Sequence, residues 1–212
     1  TDLPYSLTAC KWDSLIPMDL LWEHYYRVCK ENAAMVFTAA QPFTTTLISS
    51  NLKNFRYHWI WEKPQGTNPF QAKIAPMRCH EEILVFYRKK PTYNPQMTQG
   101  KPYSGFSSDT AKIGEVYASA QSKHRDNPEG TRYPRSVLRF AQERGGLHPT
   151  QKPVPLFEYL VRTYTNLGET VLDNCMGSGT TGVACHNTGR NFIGVEKDEK
   201  YYETAKTRIE AL

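Results

Sequence analysis

The five cysteines of this 212-residue chain include no CxxC pair, and an odd number does not suit a disulfide framework. No apolar run in the sequence approaches the length of a membrane span, and the first residues show no basic-then-apolar signal peptide. We find no internal repeat and no low-complexity tract. These absences exclude a disulfide-stapled secreted domain and favour a soluble, cytoplasmic protein in a reducing compartment.

The length and charge of the chain set further bounds. A chain of 212 residues can bury one substantial core but is short for two ordinary domains. The net charge of +5 suits a polyanionic partner such as DNA, although many proteins without a nucleic-acid role are equally basic. Composition therefore predicts one domain and supports a DNA partner only weakly.

Hydrophobic periodicity predicts alternating strands and helices. Helical spacing follows Pro17, Gln41, Pro153 and Thr181, and a last helix begins near Asp198. A continuous apolar run at 34–38 is typical of a buried parallel strand, and further strands are predicted at 55–61, 83–87, 170–172 and 191–195. The second and third of these five could form an antiparallel edge pair. The pattern predicts an α/β domain.

Between residues 90 and 146 the periodicity fades, and Pro, Gly, Ser, Asn and Gln become frequent. Loops of this length inside a compact domain are usually functional or disordered. The segment is rich in arginine, including Arg132, Arg135 and Arg139, whose side chains would suit phosphates and guanine edges if the partner is DNA. The alternative is that these charges form an ordinary solvated face.

A glycine turn lies near the end of the chain. Gly177, Gly179 and Gly182 form a GxGxxG pattern between an apparent strand and helix, and Glu196 closes the next strand. Glycines permit close backbone approach to a nucleotide, and such a carboxylate can accept hydrogen bonds from both ribose hydroxyls. A tight turn without a ligand is the alternative, and the pattern alone does not separate the two.

Two other nucleotide folds are excluded by position. Only one strand follows the glycine turn, whereas a dinucleotide fold needs several. A P-loop needs lysine directly after its last glycine, where this chain has Val183. An adenosine without a pyrophosphate, as in S-adenosylmethionine, is then the more suitable ligand.

A second motif opens the chain, Asp2-Leu3-Pro4-Tyr5. Its carboxylate and backbone carbonyls could accept both protons of an amino group on a planar ring, and the Tyr5 ring could stack on a base that has left the duplex. Carbon-5 methylation of cytosine uses a Pro-Cys nucleophile, and no cysteine here follows a proline. The alternative reading of these four residues is an ordinary turn.

The order of these motifs, Asp2-Leu3-Pro4-Tyr5 before Asp173-Asn174-Cys175-Met176-Gly177-Ser178-Gly179-Thr180, resembles the circularly permuted class of amino-group DNA methyltransferases that use S-adenosylmethionine. His148-Pro149-Thr150-Gln151-Lys152-Pro153 also resembles the family segment beside the methionine part of the cofactor. The family usually has proline where Leu3 stands, and a leucine variant is familiar among phage-like members. The resemblance covers nearly the whole chain and is weakest in the insertion.

The resemblance implies a three-layer, Rossmann-like α/β fold with a mostly parallel central sheet in a single domain, 1–212. Residues 90–146 would be a target-recognition insertion, with Arg132, Arg135 and Arg139 as the strongest candidates for DNA contacts, and residues 148–212 the cofactor-binding part. The implied catalytic residues are Asp2, Pro4 and Tyr5, with Lys152 and Thr150 on the methionine carboxylate. The implied cofactor-binding residues are Asp2, His148, Thr150, Lys152, Asp173, Cys175, Gly177, Ser178, Gly179, Thr180, Thr181 and Glu196.

The implied reaction is methyl transfer to an exocyclic amino group in double-stranded DNA, without a metal, by a protein of bacterial or phage restriction-modification type. An aspartate at the head of the catalytic motif is commoner in adenine-N6 enzymes, so adenine is the first expectation and cytosine N4 the alternative. A homodimer is a further hypothesis. No apolar strand precedes Asp2 in this sequence, so we expect either that the strand usual at this point is missing or that something else fills its place in the sheet. An inactive, truncated DNA-binding fragment is the alternative from another class.

Overall fold

The computed structural model describes residues 1–6, 14–106, 124–143, 147 and 151–212. They form two compact units, one made of residues 1–94 with 136–212 and the other of residues 95–135. The helices are α1 (Met18–Val28), α2 (Phe43–Ser50), α3 (Val154–Tyr164), α4 (Thr180–Thr188) and α5 (Glu199–Glu210). The strands are β1 (Met35–Ala39), β2 (Phe55–Thr67), β3 (Arg78–Phe86), β4 (Thr98–Gln99), β5 (Tyr103–Phe106), β6 (His124–Asn127), β7 (Thr131–Arg132), β8 (Val137–Arg139), β9 (Thr170–Asp173) and β10 (Asn191–Gly194).

The larger unit contains two groups of paired strands. One has the order β1-β3-β2-β8, in which β3 runs antiparallel to both neighbours and β8 runs parallel to β2. The other is the parallel pair β9 and β10. The expected antiparallel pairing of β2 with β3 is confirmed, but β3 lies inside its sheet rather than at an edge. Since parallel and antiparallel ladders are mixed, the mostly parallel central sheet stays a prediction.

Strand β3 shows why this unit has helices on both sides of a sheet. Ile83, Leu84, Val85 and Phe86 are all completely buried. Ile83 and Val85 belong to the cluster that includes apolar residues of α3 and α4, whereas Leu84 and Phe86 belong to the cluster with α1 and α2. Alternate residues of a strand point to opposite faces, so a continuous apolar run is buried on both. This arrangement is a layered α/β fold.

The smaller unit consists of short antiparallel ladders. Strand β4 pairs with β7, and β5 pairs with β6. The Arg132 guanidinium lies 4.7 Å from the centroid of the Tyr103 ring, a cation–π contact. Residues 107–123 within the predicted insertion lie outside the described residues.

Among the helices in the described part of the chain, none combines the length and the apolar character needed to cross a membrane.

Candidate active site

The first residues run beside β1. The Thr1 amino group donates a hydrogen bond to the Val36 carbonyl at 2.9 Å, and the Thr38 N–H donates to the Thr1 carbonyl at 3.2 Å. This pairing places Asp2 next to Thr38 near the carboxyl end of β1. The buried Leu3 side chain joins the core cluster of α1 and α2 and anchors the segment.

A cleft of about 1000 Å³ opens at the carboxyl ends of β1 and β9. Asp2, Leu3, Pro4 and Tyr5 line it, together with the segment that follows β9. Carboxyl ends of strands are where open α/β sheets usually bind ligands. The sequence-predicted residues that line this cleft are Asp2, Pro4, Tyr5, Lys152, Asp173, Cys175, Gly177, Ser178, Thr180, Thr181 and Glu196. The two motifs, at opposite ends of the sequence, therefore meet at one cleft.

The Asp2 carboxylate is held by three side-chain donors. Its Oδ1 accepts hydrogen bonds from the Tyr5 hydroxyl at 2.7 Å and the Thr38 hydroxyl at 2.5 Å. Its Oδ2 accepts one from the Lys152 ammonium at 2.7 Å. A carboxylate offers about four acceptor positions. The contacts among described residues leave one of these, on Oδ2, for a further donor.

Lys152 belongs to a line of alternating charges, Lys63, Glu81, Lys152 and Asp2, which we call the ion chain. Glu81 pairs with Lys63 through Oε1 and lies 3.4 Å from the Lys152 Nζ through Oε2. The side chains are largely buried: the exposed fraction is 7% for Lys63, 13% for Glu81, 8% for Lys152 and 23% for Asp2. Two cations offset two anions, as buried charges require.

These contacts shift the titration of the site. Burial would raise the pKa of Asp2, but the charge and hydrogen bond of Lys152, with hydrogen bonds from Thr38 and Tyr5, hold it below its ordinary value. Burial would lower the pKa of Lys152, but the charges of Asp2 and Glu81 raise it above its ordinary value. The pair therefore stays ionised at neutral pH, and Asp2 is suited to accepting a hydrogen bond rather than to keeping a proton.

The ring of Tyr5 also has contacts within the site. It stacks on Phe43 with 5.0 Å between ring centroids, and the Lys152 ammonium lies 5.7 Å from its centroid. Burial and the nearby charges of Asp2 and Glu81 raise the pKa of Tyr5, so its hydroxyl stays a donor. Stacking on a base remains a prediction for this ring.

The glycine turn after β9 is fixed by two carboxylates. Asp173 accepts hydrogen bonds from the Cys175 N–H and the Thr181 hydroxyl. Glu196 accepts one from the Gly177 N–H at 2.9 Å through Oε2 and one from the Asp198 N–H at 2.9 Å through Oε1. Each Glu196 oxygen keeps acceptor capacity beyond that bond. The carboxylate is thus oriented at the turn and can still bind a diol.

Gly179 has a structural role at the start of α4. Its φ of +78° is in the left-handed region, and an added Cβ would lie 3.0 Å from the Ala205 Cβ and 3.1 Å from the Ala205 Cα. It is absent from the residues that line the cleft. Its predicted cofactor contact stays a prediction, whereas its need for glycine follows from backbone and packing.

Replacing Gly179 with alanine should lower the free energy of unfolding by more than replacing Gly168. Both residues have positive φ, which costs about 1 kcal/mol for alanine, but nothing lies within 4 Å of a Cβ on Gly168. The difference in the free energy of unfolding between the two variants, measured by urea denaturation, gives the cost of the close contact between the turn and α5. Equal losses would show that α5 yields to the added methyl group.

A second set of hydrogen bonds joins α5 and the glycine turn to the segment before α3. The Ser178 hydroxyl donates to the Gln151 side chain at 3.1 Å, and the Arg208 guanidinium donates to the Ser178 carbonyl at 3.1 Å. Glu143 accepts from the Val154 N–H at 3.0 Å and also from Gln151. These bonds fix the turn from its outer side.

The remaining predicted residues are placed as follows. His148 and Thr150 lie outside the described residues. The Arg139 Nε donates to Glu62 at 2.7 Å with an exposed side chain, and Arg135 is also exposed. Arg132 donates to the Lys101 carbonyl at 2.5 Å. For Lys152, the structure gives Asp2 as the partner, and the methionine carboxylate contact stays a prediction.

Sequence reasoning missed three residues of the site: Thr38, Lys63 and Glu81. Thr38 ends the apolar run at 34–38, which predicts a buried strand but indicates no role for Thr38 in the site. Lys63 and Glu81 come together because Trp61 pairs with Glu81 in the β2–β3 ladder. Both residues lie just beyond the strands predicted at 55–61 and 83–87, and the register that brings them together cannot be read from the sequence.

Comparisons with known proteins show the family of the chain. The DNA methylase family model matches residues 11–207. The Type II methyltransferase M1.MboII of Moraxella bovis is 29% identical over 229 aligned positions, which cover 96% of this chain and 85% of that protein. M.HpaI of Haemophilus parainfluenzae is 26% identical over 89% of this chain, which spans 57% of that protein's length.

Solved structures give the same result. The M1.HpyAVI–SAM complex has a TM-score of 0.64 and 26% identity, covering 98% of this chain and 86% of that one. The cytosine-N4-specific PvuII DNA methyltransferase, at 17% identity, has a TM-score of 0.67 over 98% of this chain and 77% of its own, a likeness of fold alone. With the family model matching most of its length, this Rossmann-like α/β chain belongs to the DNA methylase family.

Proposed function

We propose that this protein transfers the methyl group of S-adenosylmethionine to the exocyclic N6 of an adenine in double-stranded DNA. The observation that carries the proposal is the Asp2 carboxylate in the cleft, with one acceptor position left on an oxygen already oriented by Lys152. The family match and the similarity to M1.MboII support the reaction class.

The residues of the cleft suit an amino group as nucleophile. The lone pair of such an amine is delocalised into the ring, so the base must be held with its amino protons bonded. The free position on Asp2 Oδ2 can accept one proton, and the backbone carbonyl of Leu3 or Pro4 can accept the other. This geometry favours a pyramidal nitrogen whose lone pair points away from both acceptors.

The glycine turn fits the adenosine part of the cofactor. Glu196 would bind the ribose hydroxyls, because Gly177 and Asp198 hold its two oxygens in place and leave acceptor capacity on each. A cleft of about 1000 Å³ has room for both cofactor and base. S-adenosylmethionine, when bound, supplies the electrophilic methyl group. The other turn residues remain predicted contacts.

Cytosine N4 is the second candidate, since the same two acceptors would serve its amino group and the PvuII enzyme of similar fold is cytosine-N4-specific. Nucleoside mass spectrometry of unmethylated DNA, incubated with the protein and S-adenosylmethionine, decides between the bases. N6-methyladenine supports the proposal, and N4-methylcytosine supports the alternative. DNA binding with no methylated product supports a non-catalytic DNA-binding protein.

The proposed partner is double-stranded DNA, read by Arg132, Arg135 and Arg139 and by the segment 90–146. A homodimeric assembly, a cytoplasmic location and the mostly parallel sheet are further predictions from the sequence. The exposed side chains of Arg135 and Arg139 support a phosphate-binding role, which predicts weaker DNA binding as salt rises.

Replacing Glu196 with alanine should weaken S-adenosylmethionine binding by about tenfold or more, since two charge-assisted hydrogen bonds to the ribose would be lost. Isothermal titration with S-adenosylhomocysteine measures the change without turnover. Glu199→Ala, in the first turn of α5, is the matched control and should bind as the wild type does. Equal affinities for all three proteins would remove Glu196 from the proposed site.

A further inference from the structure

The turn between β2 and β3 presents two large apolar side chains to solvent. Phe70 is 98% exposed and Ile74 is 85% exposed, and Met77 in the same turn is also exposed. We call residues 68–77 the β2–β3 loop. Single exposed apolar residues are common, but two almost fully exposed ones on one short loop indicate a contact surface.

The β2–β3 loop is ordered by its own hydrogen bonds. The Ala72 N–H donates to the Pro69 carbonyl at 3.1 Å, and the Ile74 N–H donates to the Gln71 carbonyl at 2.9 Å. At the base of the loop, the Thr67 hydroxyl donates to the Arg78 carbonyl at 3.1 Å. The apolar side chains are therefore presented on a built turn.

Position and charge indicate what the loop contacts. Thr67 and Arg78, which flank the loop, line the same cleft as Asp2. The sequence from Asn68 to Arg78 contains two basic residues, Lys73 and Arg78, and no acidic one. An apolar tip that includes Lys73 and has Arg78 at its base, beside a site that receives a base, is complementary to the stacked bases and phosphates of a duplex.

We propose that the β2–β3 loop is a wedge that enters duplex DNA at the target step and stabilises the gap left by the extruded base. The inference rests on the proposed function, because only a base that must leave the helix requires such a wedge. Phe70 and Ile74 would cover the neighbouring base pairs, which lose a stacking partner, and Lys73 would contact a phosphate. Other proteins that unstack a base step insert apolar side chains in this way.

A comparison of duplex with denatured DNA tests the wedge. The double variant Phe70→Ala with Ile74→Ala should methylate duplex DNA about tenfold more slowly than the wild type and heat-denatured DNA at nearly the wild-type rate, because an unpaired base needs no extrusion. Leu52→Ala is the matched control: Leu52 is 68% exposed and lies before the opposite end of β2. It should behave as the wild type on both substrates.

A direct contact measurement supplements the rates. In Phe70→Trp, adding duplex DNA should quench the fluorescence of the introduced side chain as bases stack on it, whereas Leu52→Trp should show no extra quenching over the wild type. This readout does not require turnover. If the wild type methylates neither form of DNA, the proposed function fails, and quenching in Phe70→Trp still tests the loop.

Two outcomes would overturn the wedge. One is an equal loss of rate on duplex and denatured DNA, or no loss on either, with no quenching in Phe70→Trp. The other is a wild-type dimer in analytical ultracentrifugation that becomes monomeric in the double variant while the duplex rate is kept. That result would assign the apolar tip to contact with a second copy of the chain.

Discussion

Replacing Asp2 with asparagine should lower the rate of methyl transfer by about a hundredfold to a thousandfold, the usual cost of removing one group that stabilises a transition state. The substitution keeps the shape of the side chain but removes the charge that Lys152 and the Tyr5 and Thr38 hydroxyls bond. An amide nitrogen in either position would face at least one donor. The free acceptor position proposed for the target amino group would be weakened or lost.

The measurement is the rate of methylated-nucleoside formation at saturating S-adenosylmethionine, followed by mass spectrometry. Asp19→Asn is the matched control, since Asp19 is exposed in the first turn of α1, and it should keep the wild-type rate. Cofactor affinity of the Asp2 variant, measured separately, should change far less than its rate. A wild-type rate in Asp2→Asn would contradict the proposed role, whatever base is modified.

The sequence was sufficient to predict the local features of the site. The glycine turn and Glu196 were predictable because the strand, turn and helix that position them are consecutive in the chain. In the same way, the apolar run from Ile83 to Phe86 predicts a strand, and the structure has one there, although its position inside the sheet was not predicted. Such features depend on spacing within a few residues, which is what a single sequence carries.

The parts that could not be predicted are those set by distant pairings. Lys152 and Glu81 meet only because the segment before α3 lies against the end of the β2–β3 ladder. Strand β8 is another case, because three residues within the segment 90–146, which lacks clear periodicity, pair in parallel with β2. Composition gave no signal for β8, because a strand of three residues is too short to show a strand propensity. Its partner β2 is also distant in sequence: Arg139 and Glu62 are 77 positions apart.

The segment 90–146 shows a related limit. Its irregular composition predicts a functional or disordered loop, and the described residues contain short ladders whose strands have two to four residues. Strands this short have no detectable period, because alternation needs several residues to be recognised. Turn residues such as Gly130, with φ of +69°, shape this unit instead. Its role in reading a DNA sequence stays a prediction.

Replacing Lys152 with methionine should lower the free energy of unfolding by about 3 kcal/mol at pH 7, because it leaves Asp2 and Glu81 buried with Lys63 as the remaining cation of the ion chain. The matched control is Lys89→Met. Lys89 pairs with Glu31 at 2.9 Å, but both side chains are more than half exposed and screened by solvent, so the loss should be far smaller than that of Lys152→Met. Urea denaturation measures both.

The pH dependence of this difference separates lost charge pairing from lost packing. In the wild type, the folded pKa of Asp2 lies below its ordinary value of 3.8, so its stabilisation is present above that value and is lost as pH falls through the folded pKa. The raised pKa of Lys152 gives stabilisation that is present below its ordinary value of 10.5 and lost as pH rises through the folded pKa. The ion pair therefore contributes across the neutral range.

In the Lys152 variant the burial of Asp2 acts without its main opposing charge, so the pKa of Asp2 should rise above its ordinary value. The buried carboxylate then destabilises the fold at neutral pH, and protonation relieves that cost as pH falls. The loss relative to wild type should thus be largest near pH 7 and shrink on acidification, and the acid limb of the methylation rate should move to higher pH. A loss that is independent of pH would mean that Lys152 acts through the packing of its stem, and that Asp2 does not depend on it for its charge.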